Sequence, residues 1–274
     1  MKTYLAIIAM DIKLALRLRA VIFFNYLFPL IFFFTFATLL HRTPEQLAFV
    51  VTMSITLGVL GSGFFGSGIR AIQERELNIL RRYKVTPITP VPILVGSMFT
   101  GWIIFIPYIL VLLLLAHFLY QMQLPAHMVQ LLVFISLGLI AFRSLGLVIA
   151  SVANTMQEGT IIVQLFYFPM LLLSGATVPE SDFKGVMQIV HNFVPATYLV
   201  KGMNSMMLGH GSLFQKDNWL SALALIITTV VGSTVATKLF RWEKEEKIRS
   251  SAKWWVVVAL LPFLVMGLWV WLRH

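Results

Sequence analysis

LAFVVTMSITLGVLGSGFFGSGIRAIQERELNILRRYKVTPITP, residues 47–90, changes character at Arg70. No side chain ionises before it, whereas from Arg70 to Lys84 seven of fifteen are charged. An uncharged run of this length matches the ~20 residues a helix needs to cross a ~30 Å hydrocarbon core. Comparable apolar runs lie at roughly 21–40, 93–119, 128–152, 159–174, 219–240 and 254–272, so the sequence predicts seven spans. They are too long and too unalternating for barrel strands. The expected fold class is therefore all-α, a polytopic helical membrane bundle.

Composition excludes the main rivals. Of 274 residues, 59% are hydrophobic and 12% charged, with a mean hydropathy of +0.87, against about 25% charged in soluble domains. Too few polar residues remain to surround a soluble core. Cysteine is absent, which removes disulfide frameworks, zinc knuckles and thiol nucleophiles. His41, His117, His127, His191, His210 and His274 show no HxxxH spacing, so no metal site is expected. Within the spans the ionisable groups are Arg143 and, near span ends, His117 and Lys238. Without an intramembrane carboxylate, neither an intramembrane enzyme nor an ion-coupled carrier has its usual chemistry.

The net charge of +10 raises nucleic acid as a partner, but its distribution points to a membrane instead. With the N-terminus inside, one side receives Lys2, Lys13, Arg17 and Arg19; Arg70, Arg75, Arg81, Arg82 and Lys84; and Lys238, Arg241, Lys244, Lys247, Arg249 and Lys253, 15 of the 21 basic residues. Arg42, Lys184, Lys201, Lys216 and Arg273 fall on the other side. Basic connections stay cytoplasmic and meet anionic lipid, so a cytoplasmic N-terminus in a cell (plasma or inner) membrane is expected, with no nucleic acid.

Residues 1–20 interrupt an apolar start with Asp11, Lys13, Arg17 and Arg19, unlike a signal peptide. Leu5, Ile8, Ile12 and Leu16 recur at helical spacing, as in an interfacial amphipathic helix or an extension of the first span. The second span holds Gly58, Gly61, Gly63, Gly66 and Gly68, which suit either close helix packing or a flexible pathway wall. Arg143 is either a contact for an anionic substrate or partner helix, or a side chain snorkelling to the end of its span. Residues 175–218 carry a helical stretch near 182–193 bracketed by Pro179 and Pro195, followed by apolar residues from Tyr198. They read as re-entrant helices packed against protein, or as a small exterior cap.

In the charged loop, Ile72, Ile79, Leu80 and Tyr83 fall on one helical face, and Arg70 to Glu74 has ion-pair spacing. Pro87, Pro90 and Pro92 end the segment. A merely solvated loop needs no apolar stripe. No P-loop occurs, so energy for any driven process comes from another chain.

Residues 74–88, ERELNILRRYKVTPI, resemble the E-R-E-x-G-T-L-x-R…T-P segment of permease subunits of type-2 ATP-binding cassette (ABC) exporters. SGATVP at 174–179 and VPATY at 194–198 agree in order and spacing over roughly 1–240. The resemblance implies a transmembrane domain over 1–240, with 70–90 as the coupling loop and 175–218 as the outer re-entrant region. It places Glu74, Arg75, Glu76, Arg81, Arg82 and Tyr83 against a P-loop ATPase subunit, and Gly175, Pro179, Pro195 and Tyr198 at an outer gate. It further implies a second permease copy, a substrate path between the copies along the second and fifth spans, no cofactor in this chain, and ATP and Mg in the partner. Two features depart from the pattern: Asn78 stands where the family has Gly, and 241–274 adds a linker and a seventh span to the usual six. An ATP-independent scaffold or assembly protein docking a cytoplasmic partner, and a secondary carrier, are the competing classes.

Overall fold

A computed structural model describes residues 2–17, 19–40, 43–84, 88–208, 211–246 and 254–271. His41, Arg42, Thr86, Pro87, His210, Lys247, Arg249, Lys253, Arg273 and His274 of the sequence reading lie outside them.

The fold is an all-α polytopic bundle. Helix α1 (Lys2–Ala15) leads to α2 (Arg19–Ile22), a π-helical segment (Phe23–Leu27) and α3 (Phe28–Leu40). Then α4 (Pro44–Gly63), a second π-helical segment (Phe64–Ile69) and α5 (Arg70–Glu76) run as one rod, followed by α6 (Ile79–Lys84). The long helices α7 (Pro90–Tyr120), α8 (Met128–Val152) and α9 (Met156–Leu173) come next. A 3-10 turn (Glu180–Asp182), α10 (Val186–His191) and α11 (Pro195–Leu208) precede α12 (Lys216–Lys238) and α13 (Trp255–Trp271). Among the described residues five helices are long and apolar enough to cross a membrane, joined by the shorter apolar helices Asn25–Leu40 and Val257–Val270. All seven predicted runs thus fold as helices.

The rod Pro44–Glu76 has 33 residues, about 50 Å at 1.5 Å per residue, longer than a ~30 Å hydrocarbon core. The charge of 70–76 gathers in its last turns. The rod is central, packed by α3, α7, α8 and α11. Thr43 caps its start by accepting the Gln46 N–H at 3.3 Å, with Pro44 in the first turn. Thr155 does the same for α9, accepting from Glu158 at 3.1 Å. Pro169 sits inside α9 without ending it.

Close approach explains the glycines at the rod's crossing with α8. A Cβ on Gly63 would lie 2.7 Å from the Phe142 carbonyl oxygen, one on Gly68 2.9 Å from that of Gly146, and one on Gly146 would collide with the Gly63 carbonyl. Small residues let backbones touch where lipid gives no hydrophobic drive between helices.

The helical stretch expected near 182–193 is shorter in the structure. Gly185 has φ +59 and ψ −128, a conformation that L side chains rarely adopt, and it separates the 3-10 turn from α10. Helix α11 is buried against α4, α8 and α12, with Ala196, Leu199, Val200, Met203 and Met206 in the core. Helix α13 packs on α12, and its Phe263 ring lies 5.7 Å from that of Tyr198.

Candidate functional site

Two ends of the bundle carry polar architecture. At the first, the rod ends in an elbow. Leu77 closes α5 and Asn78 turns the chain with φ 56, the left-handed conformation that Asn tolerates better than most residues. The single helix expected for 70–84 is thereby two short ones.

The elbow's polar groups tie it to its own chain. Arg70 donates through Nε to Glu74 Oε1 at 2.7 Å and through Nη2 to Asp11 Oδ1 at 2.8 Å, holding α1 against the rod. Burial raises the Asp11 carboxyl, against the pull of the Arg70 charge. Arg75, 3% exposed, donates to the Ala150 carbonyl at 2.8 Å and the Ala153 carbonyl at 2.6 Å. Ala150 lies in the last turn of α8 and Ala153 follows as its cap, where carbonyls have no partner inside the helix. Glu76 Oε1 accepts the Met156 N–H at 2.8 Å, an amide of the first turn of α9. Arg241, beyond α12, donates to Asn154 Oδ1 at 2.8 Å and to the Ala153 carbonyl. The α8–α9 corner is thus held from two directions.

The apolar stripe is likewise covered. Ile72 is fully buried and Leu80 is 4% exposed; a Cβ on Gly159 would collide with Ile72 Cδ1. Tyr83 is half-buried, its hydroxyl 3.3 Å from Met10 Sδ on α1. Leu77, Asn78, Arg81 and Arg82 are exposed. Of the six residues assigned by resemblance to an ATPase contact, Arg81 and Arg82 face outward, while Glu74, Arg75 and Glu76 make their hydrogen bonds within the chain.

Arg143 makes its contacts with neighbouring helices of its own chain. Its side chain does not snorkel; it is 2% exposed. Nη1 donates to the Ser62 carbonyl at 3.0 Å and hydroxyl at 2.8 Å, and Nη2 to the Ser97 carbonyl at 2.6 Å, joining α8 to the rod and α7. Gly66 and Gly101 leave room for the guanidinium. Gly58 packs under the Phe105 ring and Gly61 is buried.

At the other end, a polar knot joins α9 to α11. Gly175, with φ +84, turns the chain out of α9, Pro179 precedes the 3-10 turn, and Pro195 begins α11. His191 Nδ1 lies 2.7 Å from the Leu173 carbonyl and Nε2 lies 3.3 Å from Glu180 Oε1, which Lys201 Nζ also meets at 2.8 Å. Burial favours the neutral Glu180 carboxyl, but hydrogen bonds from His191 and Lys201 and their charges hold it down at about 2. The Tyr198 hydroxyl donates to the Asn192 carbonyl at 2.7 Å. Gly175, Pro179 and Lys201 also line a cavity of about 680 Å³. Gly175, Pro179, Pro195 and Tyr198, the four residues that the resemblance assigns to a gate, thus gather at one end of the bundle.

Sequence reasoning found the Arg70–Glu74 pair through its spacing. It missed Asp11, Arg241, Ser62, Ser97 and the Glu180–His191–Lys201 knot, whose partners lie far apart in the chain. Asp11, an acid on a basic helix, was the one local signal.

A rod of glycine-packed helices ending in a charged elbow, among further helices long and apolar enough to cross a bilayer, is the architecture of a multi-pass membrane protein. Residues 3–208 match the family described as ABC-2 type transporter, and the chain belongs to that family. It is similar to the inner membrane transport permease YhhJ of Escherichia coli (strain K12), 24% identical over 176 residues, covering 64% of this chain and 46% of the relative. The protein of the same description in Shigella flexneri matches to the same extent. The aligned stretch spans about half the length of these curated relatives.

Proposed function

We propose that the chain is the membrane-spanning, non-catalytic half of an ATP-driven exporter, moving a hydrophobic or amphiphilic substrate outward with ATP hydrolysed by a separate P-loop subunit that binds ATP and Mg. The N-terminus and the elbow are cytoplasmic, the cap at 175–208 is external, and two permease copies act together. Residues 1–240 form the transport domain, and 241–274 contribute a linker and an accessory helix.

The observation that carries this reading is the elbow's double character. Arg81, Arg82, Leu77 and Asn78 are exposed, while Arg75 and Glu76 grip the ends of α8 and α9. A push on the exposed side is passed to the rod and to the α8–α9 corner as one body. Packed elements of this kind move between discrete arrangements instead of deforming continuously.

Affinity purification of the tagged chain, followed by reconstitution in vesicles, tests the proposal. A P-loop ATPase should copurify, and Arg81→Glu/Arg82→Glu should abolish ATP-driven transport while the permease still inserts. Undiminished transport in that variant with the ATPase bound would remove the elbow from the mechanism. Transport driven by an ion gradient without ATPase would make the chain a secondary carrier.

A further inference from the structure

The cavity beside the cap has a chemistry of its own. Its volume, about 680 Å³, lies in the range of about 300–1,000 Å³ that holds small organic ligands, which are usually met by apolar walls and a few converging polar groups. Its walls are mostly apolar, with Phe49 and Val200 among them. The charged side chains among its described lining residues are Glu45, Glu180 and Lys201. Because Lys201 is already paired with Glu180 at 2.8 Å, the remaining charge is the Glu45 carboxylate. In a chain of formal net charge +10, this lining leans acidic.

Two more features select the ligand. Asn204 lines the cavity, and its Oδ1 is buried behind the wall without a hydrogen-bond partner; such an acceptor calls for a donor, which it meets when the amide turns toward the cavity. Phe49 follows Glu45 by one helical turn on α4, so carboxylate and ring share a face. A carboxylate, an unfilled amide oxygen and an aromatic ring together suit a protonated amine, whose N–H meets the oxygens and whose charge is attracted to the ring.

We infer that this cavity binds cationic amphiphiles carrying a protonated amine on an apolar body, with Glu45 and Asn204 receiving the amine and Phe49 flanking it. The inference rests on the export reading only for its direction: the cavity then lies on the release side. The site itself is a property of this chain.

Adamantylamine, adamantanol and adamantanecarboxylate share one apolar body and differ in charge. Their binding to the full chain in nanodiscs of zwitterionic lipid, measured by calorimetry, tests the site without any ATPase. The amine should bind about tenfold or more tighter than the other two. Glu45→Gln, a change at an exposed position, should erase that preference, and Asn204→Leu should weaken amine binding. Equal or tighter binding of the carboxylate, or an amine preference intact in Glu45→Gln, overturns the assignment. If the amine binds as expected but ATP drives no transport in the reconstituted complex, the export reading fails and the site stands. If ATP-driven transport proceeds and the amine does not bind, the site fails alone.

Discussion

Arg75 Nη2 lies 2.6 Å from the Ala153 carbonyl oxygen, so the end of the central rod is bolted to the corner between α8 and α9. Removing the fork takes the side-chain donor from the Ala150 carbonyl and leaves the Ala153 carbonyl to Arg241 alone. Arg75→Ala should lower stability by about 2–3 kcal/mol. Arg75→Lys should recover only part, because an ammonium cannot span both acceptors as a planar fork does. Thermal unfolding in detergent reads both.

Arg81 and Arg82 are exposed, so reversing their charge should change stability by no more than about 0.5 kcal/mol. In the proposed function the same change abolishes coupling to the ATPase. Unfolding and substrate-stimulated ATP hydrolysis, measured on one preparation, separate the two effects. A coupled complex with normal turnover would contradict the docking role.

Asn78 holds φ 56 between α5 and α6. Asn78→Gly, which has no Cβ cost there, should be neutral to slightly stabilising, and Asn78→Val should cost about 1–2 kcal/mol. The same unfolding assay distinguishes them.

Gly146 faces the Gly63 carbonyl at the crossing of α8 and the rod. Because a Cβ there would collide with backbone and not with a movable side chain, Gly146→Val should force the helices apart and destabilise by about 3 kcal/mol. Reduced insertion and an earlier unfolding midpoint are the expected readouts.

Glu180 is held down at about 2 from its ordinary 4.5. Its pairing with Lys201 and His191 therefore stabilises the cap above pH 4.5, and that contribution is lost as the pH falls from 4.5 toward about 2. Protection of the amides of residues 175–194, taken against their intrinsic exchange rates, should fall through that acidic window, and Glu180→Gln should show the lower protection already at neutral pH. Protection that is unchanged across the window would show that the knot does not hold the cap.

Much of the fold was legible because a bilayer imposes length. Runs such as 47–69 and 128–152 must be helical, since no water is present to satisfy their backbone groups in another form. Breaks could be read only where a residue enforces its own conformation. Pro195 and Gly175 mark the boundaries expected of them, whereas Gly185, silent in the pattern, cuts the stretch near 182–193 short. Asn78 stands where the family has Gly, but the left-handed turn it makes shows only in the structure, between α5 and α6.

The sequence by itself determined that the chain is a helical membrane protein, where its runs lie, and that charge gathers at 70–84. These are properties of composition, periodicity and the solvent. Tertiary structure alone decided which way each charge faces: Arg75 and Glu76 turn inward, Arg81 and Arg82 outward, and Arg143 ends on Ser62 and Ser97. Those outcomes depend on carbonyls and hydroxyls brought close by helix crossings, and a buried guanidinium takes whatever acceptors the crossing supplies. Local sequence carries no record of partners dozens of residues away.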